Sequence, residues 1–264
     1  MLNRFNLKNK IAVITGGCGL LGIEHAKALS ELSCKVFIFD NDKIKILKAK
    51  KNFLKNKNIQ IENINVLNRK KLKNVLKNIV SKEKSIDILI NNIAFDYKPL
   101  LKNKKNQTIY NLTTKDWNKH LDLGLTTAFI CSQEVGKIME KNKRGVILNI
   151  GSDLSLISPD QSLYSHLNFI KPITYSIVKH GIVGMTKYLA TYWAKKNIRV
   201  NCLSPGGVFN SQDKLFIKKV KKKIPLGRLA NKYEYKEIVQ FLCSDASSYM
   251  TGSNVVIDGG RTII

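Results

Sequence analysis

The chain has 264 residues, 44% of them hydrophobic and 24% charged, enough for one large α/β domain with a buried core. No apolar run approaches the ~18 residues of a membrane helix, and residues 1–10 hold no signal-peptide core, so a membrane or secreted protein is disfavoured and a cytoplasmic one expected. Against 19 acidic residues stand 45 basic ones, a net charge of +26, but the lysines scatter from Lys8 to Lys236 without alternating with stacking aromatics, which favours a solvated basic surface over a nucleic-acid interface.

Short apolar runs alternate with helical stretches along the chain. Ile11–Thr15 is apolar and bounded by glycines, the pattern of a buried strand. The turn Gly16-Gly17-Cys18-Gly19-Leu20-Leu21-Gly22 follows, and Ile23–Leu32 has helical apolar spacing. Strand, glycine turn and helix in that order bring backbone N–H groups to a phosphate. The second strand, Lys35–Asp40, ends on an acid about 20 residues past the turn, where a carboxylate can bind a ribose 2′-hydroxyl. A loop and helix over 40–57, a strand over Ile59–Val66, a helix over Lys70–Lys82 and a strand over Asp87–Asn91 come next. Then come a long helix over Trp117–Lys141, a strand over Gly145–Ile150, a helix over Thr174–Lys195 and strands over Ile198–Leu203 and Asn254–Asp258. Seven strands with helices between them predict a single doubly wound Rossmann domain over 1–264, a seven-stranded parallel sheet flanked by helices.

Tyr175 and Lys179 stand four residues apart, about one helical turn, so they share one helix face. A free tyrosine titrates near pH ~10 and is a poor base at neutral pH. A fixed cation beside it favours the phenolate and brings it towards working range. Ser152 lies upstream after an apolar run. The five cysteines lack metal-ligand spacing, so no metal site is expected. Cys34, Cys131, Cys202 and Cys243 sit in apolar contexts as buried thiols, whereas Cys18, in the glycine turn, is the one expected to be exposed.

Taken together, these residues resemble the short-chain dehydrogenase/reductase family over nearly the whole chain. Thr15-Gly16 through Gly22 matches its glycine motif, Asn91-Asn92-Ile93-Ala94 its Asn-Asn-Ala-Gly segment, Asn149 to Ser152 its serine segment, and Tyr175 and Lys179 its tyrosine and lysine. Pro205-Gly206 follows the sixth strand, and Asp258-Gly259-Gly260 closes the last. The resemblance implies hydride exchange between a nicotinamide and a carbinol or carbonyl carbon. Tyr175 would exchange the proton with the substrate oxygen, Ser152 would orient that oxygen, and Lys179 would lower the tyrosine pKa and hold the nicotinamide ribose. It also implies a cofactor site of Gly16, Cys18, Gly19, Leu20, Leu21, Gly22, Asp40, Asn65, Val66, Asn92, Tyr175, Lys179, Pro205, Gly206 and Val208. Asp40, with no arginine directly after it or after Gly17, favours NAD over NADP. A homodimer or homotetramer is expected, with Leu121, Leu125, Phe129 and Val135 supplying part of the interface.

Three positions depart from the family pattern. Leu20 replaces its second glycine, Gly124 its helix-kinking asparagine, and Asn210 a threonine near the cofactor amide. The stretch from Ser152 to Tyr175 is also longer than the family norm. Asp153–Pro172 is expected to shape the substrate pocket, with Gln161, Tyr164 and Lys171 contacting an anionic sugar, and His166 read as structural or solvent-exposed rather than catalytic. Its fragments are similar to oxidoreductases of bacterial surface-glycan pathways, including flagellin-modification protein A and nonulosonate-cluster enzymes. That likeness points to a sugar, sugar nucleotide or nonulosonic acid interconverted between secondary alcohol and ketone. Two alternatives stay open: a degenerate family member that binds dinucleotide as a regulator or scaffold, and a basic nucleic-acid binder.

Overall fold

The computed structural model describes residues 4–94 and 108–264. Seven parallel strands form one sheet in the order β3-β2-β1-β4-β5-β6-β7, as expected from the alternation of strands and helices. They are β1 (Ile11–Thr15), β2 (Lys35–Asp40), β3 (Ile59–Asn63), β4 (Ile88–Asn91), β5 (Gly145–Ile150), β6 (Ile198–Pro205) and β7 (Asn254–Ile257). β3 stops three residues short of the expected Val66 because its partner β2 ends at Asp40, which pairs with Asn63.

Side chains alternate along the strands and divide the core between two faces. Ala12, Ile14, Val36, Ile38, Ile88 and Ile90 face α1 (Leu20–Glu31), α2 (Lys43–Asn52) and, late in the chain, a helix over Lys236–Cys243. Ile11, Val13, Phe37, Phe39, Leu89 and Ile147 face α3 (Arg69–Glu83), a helix over Thr127–Lys141 and a helix over Ile173–Trp193. Asp42 caps α2 by accepting from Ile44 N and Lys45 N, and Asn68 caps α3 by accepting from Lys71 N.

The expected long helix over 117–141 is two α-helices, α4 (Thr114–Leu121) and α5 (Thr127–Lys141), joined by one wide π turn over Asp122–Thr126. Phe129 and Val135 are six residues apart, so at about 100° per residue they fall on well-separated faces of α5. Phe129 is 46% exposed and Val135 only 1%, so Val135 belongs to the core and not to an outer surface. α6 (Ile173–Trp193), α7 (Lys214–Lys221) and α8 (Lys236–Cys243) complete the set.

All five cysteines are free and buried. Cys18, Cys34 and Cys243 lie in the α1/α8 face, Cys131 in the α3/α5 face, and Cys202 in a smaller cluster with Ala128 and Ile182. This corrects the expectation for Cys18. Burial, with the charge of Asp40 adding to it, pushes that thiol up to about 12. Among the described residues no helix is long and apolar enough to cross a membrane, and no cluster of His, Cys, Asp or Glu could hold a metal ion.

Candidate active site

Strand order reverses between β1 and β4, and a doubly wound sheet opens a crevice at the carboxyl ends of its strands at that point. The glycine turn after β1 forms one wall. Gly16 has φ +61°, the left-handed region that favours glycine. A Cβ on Gly22 would stand 2.6 Å from Gly17 Cα, so α1 rests directly on the turn. Leu20 is the first residue of α1, three residues earlier than expected, and its side chain is 38% exposed. With leucine at this position the turn is still closed, by the Gly19 N–H donating to Gly16 O at 3.1 Å. Gly19 caps α1 with no side-chain acceptor, so the first-turn N–H groups are left to an anion.

Asp40 closes this wall. Its Oδ2 accepts from Cys18 N at 3.1 Å and its Oδ1 from Asp42 N at 3.0 Å. Asn92 braces the turn from β4: Nδ2 donates to Gly16 O at 2.9 Å, and the Asn92 N–H donates to Thr15 Oγ1 at 3.2 Å. A positive-φ glycine, an uncapped helix start and an aimed carboxylate together fit the diphosphate and ribose of a dinucleotide. Of the expected cofactor contacts after β3, Val66 is buried and Asn65 is exposed, its Oδ1 accepting from Leu67 N at 3.0 Å. Pro205 ends β6. A Cβ on Gly206 would lie 2.6 Å from Asp258 Cα, so the last strand's end presses on this loop. Val208 pairs with Ala230 in a single parallel bridge.

The opposite wall carries the serine, tyrosine and lysine. Lys179 is 3% exposed and its Nζ donates to Ile150 O at 2.8 Å, which ties α6 to the end of β5. Tyr175 and Lys179 line one narrow pocket with His120, Gly124, Thr174 and Val178. Ser152 is buried just past β5; its hydroxyl donates to Asp153 Oδ1 at 2.7 Å and accepts from Leu154 N at 3.2 Å. Gly124 sits within the π turn, and a Cβ there would lie 2.4 Å from Val178 Cγ1. The helix irregularity is thus present without the asparagine. Asn210, the third departure, is exposed, and its N–H donates to Gln212 Oε1 at 2.8 Å.

Sequence reasoning missed several supporting groups. His120 is buried, with Nδ1 2.7 Å from Thr174 Oγ1, and burial holds its pKa below the usual imidazole value. A buried amide chain joins the walls: Asn91 Nδ2 donates to Asn149 Oδ1 at 2.8 Å, and Asn149 Nδ2 donates to Thr186 Oγ1 at 2.9 Å. The signal was present, since Asn91 and Asn149 open the two family segments quoted above, but neither was given a role.

Residues 153–172 fold as two 3-10 turns, Asp153–Ser155 and Gln161–Leu167, followed by an approach to α6. Gln161 is engaged with Lys171: its Oε1 accepts from Lys171 N at 2.9 Å and its Nε2 donates to Lys171 O at 3.1 Å. Tyr164 packs against Phe169 and Phe216, with ring centroids 5.3 Å away in each case. His166 Nε2 lies 2.7 Å from Asp213 Oδ1 and pins the segment to the start of α7, a structural place.

No single substrate is written into this geometry; it defines a class, the nucleotide-dependent oxidoreductases built on a doubly wound sheet. Residues 20–262 match the family described as Enoyl-(Acyl carrier protein) reductase. The chain is 31% identical to NAD-dependent glycerol dehydrogenase of Listeria innocua, over 98% of this chain and 96% of that protein. It is 33% identical to the 3-oxoacyl-[acyl-carrier-protein] reductase FabG of Buchnera aphidicola, over 95% and 96%. The structure of a short chain dehydrogenase from Leptospira borgpetersenii with bound NAD+ superposes with a TM-score of 0.86 at 31% identity, covering 99% of this chain and 97% of that one. The chain belongs to the short-chain dehydrogenase/reductase family.

Proposed function

We propose that the protein is an NAD-linked oxidoreductase that interconverts a secondary alcohol and a ketone on an anionic sugar, sugar nucleotide or nonulosonic acid. The observation that carries the reaction class is the pocket in which Tyr175 and Lys179 converge, with Lys179 anchored on Ile150 O at 2.8 Å. When bound, the nicotinamide supplies or accepts the hydride. Tyr175 gives or takes the proton at the substrate oxygen through its phenolic Oη. Lys179 holds positive charge beside that phenol and favours its ionised form. Ser152 Oγ hydrogen-bonds the same oxygen and fixes which carbon faces the cofactor.

The glycine turn takes the diphosphate and Asp40 the adenosine ribose. A 2′-phosphate beside that carboxylate meets like charge, a penalty on the order of 1–3 kcal/mol, so NAD is preferred. The Leptospira relative's bound NAD+ and the NAD dependence of the Listeria relative agree with this preference. For the substrate, support comes from the glycan-enzyme likeness of 153–172 and from a net charge of +26, which attracts anions. Assembly as a dimer or tetramer is proposed through α5 and α6, where Phe129 is 46% exposed, Tyr188 67% and Tyr192 63%.

A second reading, reduction of a 3-oxoacyl thioester, is favoured by the 33% identity to the Buchnera reductase. Cofactor absorbance followed with a panel of nucleotide sugars, nonulosonic acids, glycerol and acetoacetyl thioester separates the two. Fastest turnover of the thioester would replace the sugar reading, and no turnover of any member with either cofactor would favour a binding role.

A further inference from the structure

Lys171 is four residues before Tyr175, as Lys179 is four after it, so the tyrosine stands midway between two lysines in the sequence. The two cations do not reach it in the same way. Lys179 lies on α6 itself, with Nζ 5.8 Å from the Tyr175 ring centroid. Lys171 precedes the helix, and its Nζ lies over the ring at 3.9 Å from the centroid, nearer than Lys179. Its side chain is not a solvated surface one, because Lys171 is only 8% exposed. Its backbone is fixed from both sides by the Gln161 amide, at 2.9 and 3.1 Å, and by Pro172, the N-cap of α6, whose carbonyl accepts from Tyr175 N at 3.1 Å. Pro172 has no backbone N–H and a ring-locked φ, so the step from Lys171 into the helix has little freedom.

We propose that Lys171 is a positioning residue that acts through Tyr175, stabilising the phenolate from the ring face while Lys179 does so from along the helix. This rests on the role proposed above for Tyr175. A cation over an aromatic face is held by the negative face of the ring quadrupole. Ionising the phenol adds negative charge to that ring, so the attraction is greater for the phenolate than for the phenol. By linkage, a partner that binds the ionised form more strongly lowers the pKa of the group. Burial makes the effect larger, since less water screens the pair. The extended segment 153–172 then serves a defined purpose, because its Gln161 delivers a second ammonium to the phenol.

Other charged groups near the phenol, among the described residues, do not duplicate this effect. His120, from α4, contacts Thr174, and burial holds its pKa below the usual imidazole value, which disfavours a second positive charge there. Asp153, from the turn after β5, would oppose the phenolate, but Arg261 Nη1 lies 2.7 Å from its Oδ2 and balances it.

The test needs no substrate. Ultraviolet difference titration of the NAD+-bound protein, with the Tyr175→Phe titration subtracted, isolates the ionisation of this one tyrosine. Lys171→Met should raise its midpoint by about one pH unit, in line with the loss of a close opposite charge. Lys171→Arg, which keeps the cation, should leave the midpoint within a few tenths of a unit of the wild type. Lys171→Gln serves the same purpose if the Met variant does not fold. An unmoved midpoint in a folded, charge-removing variant overturns the proposal. With a turned-over substrate in hand, Lys171→Met and Lys171→Gln should shift the acid limb of kcat upward in pH with the NAD KM unchanged, and Lys171→Arg should not; a uniform loss at all pH values overturns the proposal as well. If the tyrosine is tuned but no alcohol or ketone is ever turned over, the functional reading fails and this inference stands.

Discussion

Arg261 Nη1 lies 2.7 Å from Asp153 Oδ2, and the other oxygen of the same carboxylate lies 2.7 Å from Ser152 Oγ. The arginine side chain is 10% exposed and the aspartate 5%, so the pair is buried. A turn that follows the last strand thus stabilises the residue next to the serine. Removing one partner of a buried pair leaves an uncompensated charge, which costs about 3–5 kcal/mol. Arg261→Met is expected to lower stability by about that amount in urea unfolding, and Asp153→Asn on that background should restore part of it. Simple additivity of the two losses would show that the pair is not coupled.

Gly124 provides a packing test. A Cβ at this position would lie 2.4 Å from Val178 Cγ1, inside any real contact distance. Gly124→Ala is therefore expected to destabilise by about 1–3 kcal/mol, the usual range for overpacking. In Gly124→Ala/Val178→Ala the trimmed neighbour makes room for the methyl, so the combined loss should be smaller than the sum of the two single losses. Thermal melts of the three variants decide it, and a neutral Gly124→Ala would mean that the π turn yields easily.

Tyr175→Phe keeps the ring and removes the proton. Turnover is expected to fall by at least about 100-fold, the lower range for general acid–base catalysis, with NAD affinity retained. Asp40→Ala should narrow the preference for NAD over NADP in calorimetric titrations. Tighter NADP binding by the unaltered protein would count against the assignment of Asp40.

His25 sets a pH dependence. It is fully buried in α1, neither ring nitrogen has a hydrogen-bond partner, and burial pulls its pKa down to about 4. The folded state resists the proton that the unfolded state takes up near pH ~6.5. Stability from this group is complete above that value and is lost as pH falls towards 4, by roughly 3 kcal/mol in total. His25→Leu should flatten this acid limb in urea titrations at stepped pH. An equally steep limb in the variant would assign it to other groups.

The fold and the residues proposed to react are legible in the sequence because each depends on local spacing. A glycine turn between strand and helix, an acid at the end of the second strand, and a tyrosine and lysine one turn apart are all defined over a few positions. What the sequence hides is set by distant packing. Arg261 meets Asp153 across 108 residues, and nothing near either one announces the other. Cys18 reads as exposed because turns usually are, yet α1 and Asp40 close over it. The π turn after Leu121 has only Gly124 as a local mark, and one glycine within a helical run does not say whether the helix widens there. Lys171 reads as a substrate contact, but its place over the tyrosine ring depends on how Gln161 folds back.

The five buried thiols give the molecule built-in reporters of its own breathing. Cys34 and Cys243 lie on one side of the sheet, Cys131 on the other, Cys202 beneath the tyrosine helix and Cys18 beneath the glycine turn. Each becomes reactive only when its own layer opens, so the order in which they take up a thiol reagent maps local stability across the fold without any added label.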